Sequence, residues 1–149
     1  MARQRRVQGK PVVYRRALVR GELALAPATL RAIQAGRVEK GDPLPVAEVA
    51  GLLAMKQTSA LIPHCHVVPL TGSRVELSAF GDHLVVKAEA ETVDRTGVEM
   101  EALVGATIAL LTVWDMVKYL EKDKDGQYPT ARLGPVTVEA KEKRGRVPA

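Results

Sequence analysis

Asp115 and Lys118 stand three residues apart in Asp115-Met116-Val117-Lys118. On a helix that spacing puts an acid and an amine on one face, where their protonation states are coupled. A neighbouring carboxylate ordinarily keeps a lysine charged, whereas partial burial lowers it towards neutrality and makes it a usable general acid or base. The same spacing also describes a surface ion pair at a frayed helix end. Lys40, in Lys40-Gly41-Asp42, precedes a predicted helix N-terminus, a place that welcomes phosphate, although an ordinary loop lysine has the same surroundings in sequence. Lys56 is a second cation that either meets phosphate or pairs with a neighbouring acid.

Glu99, Met100 and Glu101 follow Thr96-Gly97. Gly97 permits an unusual turn before a helix, and acids in a first helical turn are commonly partners of the helix dipole. His64-Cys65-His66 invites a metal reading, since both residue types ligate zinc. Alternate residues of an extended segment face one way, however, so only His64 and His66 converge, and no spaced Cys or His pair completes a set. No metal is expected.

These groups need elements to hold them. Val12 to Leu25 mixes β-branched, apolar and arginine residues and reads as a first strand. Pro27 can open a short helix that ends at Gly36. Asp42 is a plausible N-cap with Pro43 in the first helical position, and Leu44, Val46, Ala47, Val49, Ala50, Leu53 and Ala54 keep helical periodicity. That helix should finish near Thr58, because the residue before Pro63 is pushed out of the α region. Val75 to Ala79 and Leu84 to Glu91 alternate apolar and polar residues as one-sided strands do. Gly81-Asp82 between them suits a two-residue type II′ hairpin turn. A helix of some six turns is predicted from Val98 to about Leu120, and Leu133 to Ala140 reads as a last strand.

Ala102 to Trp114 contains no charge, so the long helix is expected to be buried nearly all round. A monomer of 149 residues has difficulty covering such a helix on every side; an oligomer does not. The order of elements predicts an α+β fold, an antiparallel four-stranded sheet with helices packed on one face. On a straight helix Glu101 and Asp115, fourteen residues apart, are separated by about 21 Å. One compact pocket that used both could hardly take them from one chain; it would need a two-fold dimer with shared sites, Glu99, Glu101 and His66 coming from one chain and Lys40, Asp115 and Lys118 from its partner.

Length fits one domain, with a basic arm over residues 1–11, a single catalytic domain over 12–141 and a basic tail over 142–149. The net charge of +5 is terminal in origin: residues 1–20 hold seven bases and no acid, and residues 21–140 carry a net charge of −5. That distribution reads as a solvated arm. Five aromatics, mostly far apart, offer no stacking platform for single strands, so no nucleic-acid partner is expected. There is no apolar leader and no run of eighteen apolar residues, which predicts neither secretion nor a membrane span. A single cysteine suits the reducing cytoplasm. No internal repeat is found.

Three blocks in this order, KGDPLPVAEVAGLLAMKQTSALIPHCH (Lys40 to His66), GVEMEAL (Gly97 to Leu103) and DMVK, resemble the cyclic pyranopterin monophosphate synthase family of molybdenum cofactor biosynthesis. The similarity runs through roughly residues 13 to 141. It implies a ferredoxin-like fold assembled from dimers into homohexamers, and it makes Lys40, Asp115 and Lys118 catalytic. The family's Leu-Cys-His-Pro-Leu matches Cys65 and His66 as substrate-site residues, with His64 in place of the leucine and two additional residues before Pro69-Leu70. Glu99, Met100 and Glu101 match the pterin site, where a carboxylate can accept from the amino and ring N–H groups of a guanine-like ring. Arg15 matches a triphosphate clamp, which suits a bidentate guanidinium, although Arg16 and Arg20 lie close by in sequence. Lys56 and Lys141 also fall on family lysines. The implied reaction takes a cyclised dihydro-GTP, opens its imidazole portion, rebuilds a pyranopterin, closes a cyclic phosphate and expels diphosphate, with no cofactor and no redox step. The changed tail and the altered rim at His64 to Pro69 motivate an alternative, an inactive nucleotide-binding or scaffold homologue.

Overall fold

A computed structural model describes residues 1–145. In chain order the elements are β1 (Val13–Ala24), α1 (Pro27–Gln34), α2 (Pro43–Lys56), a single turn α3 (Thr58–Leu61), β2 (Gly72–Phe80), β3 (His83–Asp94), α4 (Glu99–Glu121) and β4 (Arg132–Arg144). The four strands form one antiparallel sheet in the order β2-β3-β1-β4. Alternation decides its faces. Ala17, Val19 and Leu23 of β1 and Leu84, Val86, Ala88 and Ala90 of β3 are buried, whereas Arg16, Leu18, Arg20 and Glu22 are only partly covered. Helices α2 and α4 cover the apolar face, as the sequence predicts.

Local chemistry sets the boundaries. Gly81 sits at φ 63 and among the described residues no non-glycine residue has positive φ, the pattern of a type II′ turn, so Phe80 pairs with His83 across two residues. The Asp42 carboxylate accepts from the Leu44 N–H at 3.1 Å, capping α2 with Pro43 in its first turn. The helix ends at Lys56, two residues before the predicted Thr58. The Thr58 hydroxyl donates to the Met55 carbonyl at 2.9 Å and starts the extra turn α3. That turn stops at Ile62, which is extended ahead of Pro63 as expected.

One chain alone leaves the long helix partly uncovered, as expected of a monomer, and one strand boundary differs from the expectation. The long helix is not buried all round within one chain: Ala102, Ala106, Ala109, Leu110, Val113 and Val117 are buried, but Met100, Leu103, Val104, Ile108 and Leu111 are half-buried or exposed. The sheet and α2 cover only two of its sides. Although α4 is long and apolar enough to cross a membrane, with a mean hydropathy of 1.6, it is the central core helix. It crosses α2 where both helices have glycine; a Cβ on Gly105 would lie 2.7 Å from Met55 Cγ, and one on Gly51 would lie 2.9 Å from the Gly105 carbonyl oxygen. The correction concerns the last strand, predicted to end at Ala140. Strand β4 continues past Lys141 to Arg144, because β1 still offers edge backbone groups as far as Tyr14, which pairs with Arg144. The Arg144 guanidinium stacks over the Tyr14 ring at 5.0 Å. The rest of the predicted tail, residues 146–149, lies outside the described residues. Residues 1–11 contain no helix or strand.

Candidate active site

The sequence-predicted residues gather at the two ends of α4. At its C-terminal end Lys118 Nζ donates to Asp115 Oδ1 at 2.8 Å, the contact that the three-residue spacing predicts. Lys40 arrives from the turn between α1 and α2. Its Nζ lies 3.6 Å from Asp115 Oδ2 and 3.3 Å from the Asp115 carbonyl oxygen. The hydrogen bond from Lys118, then its charge and that of Lys40, hold the Asp115 carboxyl below its ordinary range. The same contact with Asp115 raises Lys118. Within one chain Asp115 and Lys118 are thus kept charged, and the side chains of Lys40, Asp115 and Lys118 are all well exposed. Burial that would lower a lysine towards neutrality is not supplied by this chain. Leu111, Trp114 and Leu133 join Asp115 and Lys118 around a concavity of about 400 Å³, and Tyr128 packs edge-on against Trp114.

At the N-terminal end of α4, His64, Cys65, His66, Val68, Thr96, Gly97, Glu99, Met100 and Glu101 line a cavity of about 170 Å³. Glu101 is 4% exposed, and its Oε2 has no hydrogen-bond partner among the described residues. Burial, aided by the charge of Glu99 and opposed by a backbone hydrogen bond, raises its carboxyl to about 7. It is therefore a carboxyl able to donate or accept a proton near neutrality. Glu99 differs: burial pushes it up, but a hydrogen bond from Lys141, backbone hydrogen bonding and the charges of Lys141 and Arg15 outweigh that and leave it lowered. Lys141 Nζ lies 2.8 Å from Glu99 Oε1. Burial and the Glu101 charge raise the Cys65 thiol, which stays protonated. Among the described residues no three His, Cys, Asp or Glu side chains converge as a metal set.

Strand alternation puts the arginines of β1 on different faces. Arg15 has the parity of buried Ala17 and Val19, whereas Arg16 and Arg20 point to the other face, where Arg16 pairs with Glu89 and Glu142 and Arg20 with Glu22. Arg15 Nε and an Nη donate to the carbonyls of Asp94 and Arg95 at 3.2 Å each, bracing the loop that leads into Gly97. Gly97 itself is not a turn residue with positive φ, which corrects the expectation of an unusual turn. A Cβ there would meet the Glu99 carboxylate and push it from its present place. Lys56 is exposed in the last turn of α2 and lines neither concavity. Sequence reading missed Val68, Thr96, Trp114 and Leu133. Thr96 and Trp114 adjoin the two motifs and could have been found there, but Val68 and Leu133 carry no local signal.

The MoaC family model matches residues 5–144. A protein of Pyrococcus abyssi (strain GE5 / Orsay), named probable cyclic pyranopterin monophosphate synthase, is 48% identical over 134 residues, covering 90% of this chain and 84% of its own length. A protein of the same name from Aeropyrum pernix is 47% identical over 137 residues, covering 92% of this chain and 94% of its own length. One from Methanothermobacter thermautotrophicus, named probable cyclic pyranopterin monophosphate synthase accessory protein, is 44% identical over 137 residues, covering 92% and 86%.

Proposed function

The chain belongs to the MoaC family, and on that premise we propose that it is a cyclic pyranopterin monophosphate synthase, a phosphorus–oxygen lyase of molybdenum cofactor biosynthesis acting in the cytoplasm. Its substrate is a cyclised dihydro-GTP. The imidazole portion opens, the skeleton is rebuilt as a pyranopterin, and a substrate hydroxyl displaces diphosphate from the α-phosphorus to close the cyclic phosphate. Such a sequence needs staged proton transfers and cations to stabilise the leaving diphosphate.

The observation that carries this reading is the meeting of Lys40 with the Asp115–Lys118 pair across 75 positions of sequence. Lys40, Asp115 and Lys118 form the proton-transfer set. Arg15, Lys141 and Lys56 are assigned to the phosphates; His64, Cys65, His66, Glu99, Met100 and Glu101 hold the ring. A cavity of about 170 Å³ is smaller than the ~300–1,000 Å³ usual for ligand sites, so it is read as half a site. The other half is the Lys40–Asp115–Lys118 end of a second copy. A two-fold dimer, within a hexamer, pairs the two halves and covers the apolar side that α4 leaves bare.

The scaffold alternative has no observation in its favour, because Lys40, His66, Glu99, Glu101, Asp115 and Lys118 are all retained. Incubation of the full chain with the cyclised precursor should release diphosphate together with a product of the cyclic monophosphate's mass. A folded, oligomeric chain that binds the precursor and releases nothing would establish the scaffold instead.

A further inference from the structure

The last turn of α4 does more than carry Lys118. Glu121, 6% exposed, accepts from the Ala26 N–H with both carboxylate oxygens at 3.1 Å and from the Thr29 hydroxyl, so it pins the start of α1. Two residues earlier, the Tyr119 hydroxyl accepts from the Glu39 N–H at 2.6 Å, beyond the exit of α1. Glu39 is the residue before Lys40. The same turn of helix therefore grips both ends of the segment that delivers Lys40.

The two lysines around Asp115 are held in different ways. Lys118 is on the same helix as Asp115, so helix geometry fixes where its stem starts. Lys40 belongs to a turn closed on itself by a Gly41 N–H to Val38 carbonyl bond at 3.0 Å, with Gly41 at φ 102. Val38, 7% exposed, roots that turn in the core, but past Val38 both Glu39 and Lys40 are exposed. Tyr119 lies one helical turn beyond Asp115. The hydrogen bond that its phenol oxygen accepts from the Glu39 N–H ties the turn to the helix that carries the acid Lys40 must meet.

We propose that Tyr119 is a positioning residue for Lys40, its hydroxyl setting the distance between Lys40 and Asp115 by holding the Glu39 amide. The inference rests on the reading of Lys40 as a catalytic group. Displacement of a reacting group by about 1 Å can cost a hundredfold in rate; loss of one tether on a turn still rooted by Val38 should cost about tenfold.

Tyr119→Phe keeps the ring and removes only the acceptor. The Glu39 amide is at the surface, where water replaces the hydroxyl, so the melting temperature should barely change. Amide exchange at Glu39 should accelerate at least tenfold while that of buried α4 residues such as Val113 stays as in wild type. In turnover of the cyclised precursor, kcat should fall about tenfold with KM within twofold. Unchanged exchange at Glu39 would overturn the inference whether or not the chain is active. So would wild-type kcat in the variant of an active enzyme, or a raised KM with intact kcat, which would make Tyr119 a substrate contact. A wild-type chain that does not turn over the precursor at all refutes the functional reading instead, and the exchange measurement still decides whether Tyr119 holds the turn.

Discussion

Glu101 and Asp115 stand fourteen residues apart on one continuous helix, Glu99–Glu121, so their backbones are separated by about 21 Å. Each is surrounded by its own set of residues: the Glu101 end is buried but its cavity of about 170 Å³ is small for a nucleotide, and the Asp115 end has a concavity of about 400 Å³ but well exposed charged groups. In a two-fold dimer with shared sites, mixing Glu101→Ala and Asp115→Ala chains places both lesions in one site and leaves the other intact. Refolding a one-to-one mixture of the two inactive variants should restore about a quarter of wild-type activity. Mixed dimers that remain as inactive as the single variants would refute the shared site.

Lys40→Ala, Asp115→Ala and Lys118→Ala should each lower kcat by about a hundredfold or more, the scale of losing a general acid or base. The three side chains are well exposed, so circular dichroism and melting should barely change. Near-normal turnover in two of the three would remove the catalytic assignment.

Glu101 couples stability to pH. Its carboxyl is raised from 4.5 to about 7 by burial, so between those values the folded state holds more proton than the unfolded one and stability falls as pH rises. The stability is fully present below the unfolded value and is lost by the time pH has passed the folded one. Glu101→Gln removes this dependence. Its stability relative to wild type should therefore improve by on the order of 1–3 kcal/mol between pH 4.5 and 8, read from urea unfolding at fixed ionic strength. A difference that stays flat across that interval would mean Glu101 is not desolvated.

Gly105 sets the close approach of α2 and α4. Alanine there gains about 1 kcal/mol of helix propensity, but its methyl would lie 2.7 and 2.8 Å from Met55 Cγ and Cε, and Met55 is 1% exposed with no room to retreat. Overpacking of this kind costs about 1–3 kcal/mol. The net expectation for Gly105→Ala is a lower urea midpoint by about 1 kcal/mol in stability, and a raised midpoint would show that the crossing has slack.

Arg15→Ala should weaken substrate binding, seen as a higher KM and as weaker inhibition by inorganic triphosphate. Arg16→Ala should leave both unchanged, because Arg16 is on the opposite face of the sheet, paired with Glu89 and Glu142. Equal effects from the two variants would contradict the assignment by strand parity.

The candidate site residues could be named from sequence because their chemistry sits in short local blocks, and local periodicity determined the strands, the Asp42 cap, the Gly81 turn and the long helix. Even the separation of Glu101 from Asp115 follows from sequence, since helical rise is a local constant. Tertiary structure decided what depends on contacts between distant segments. It put Arg15 on the face that the helices cover and paired Arg16 with Glu89 and Glu142 on the other. It set the Glu99 carboxylate against Gly97, whose φ is not positive. It carried β4 on to Arg144 because β1 had backbone groups left to pair, left one side of α4 bare because two layers cannot surround a helix, and brought Tyr119 to the amide beside Lys40. Periodicity specifies which residues lie inward on one element; which element they meet is set by how the apolar faces pack together, and no short stretch of sequence contains that information.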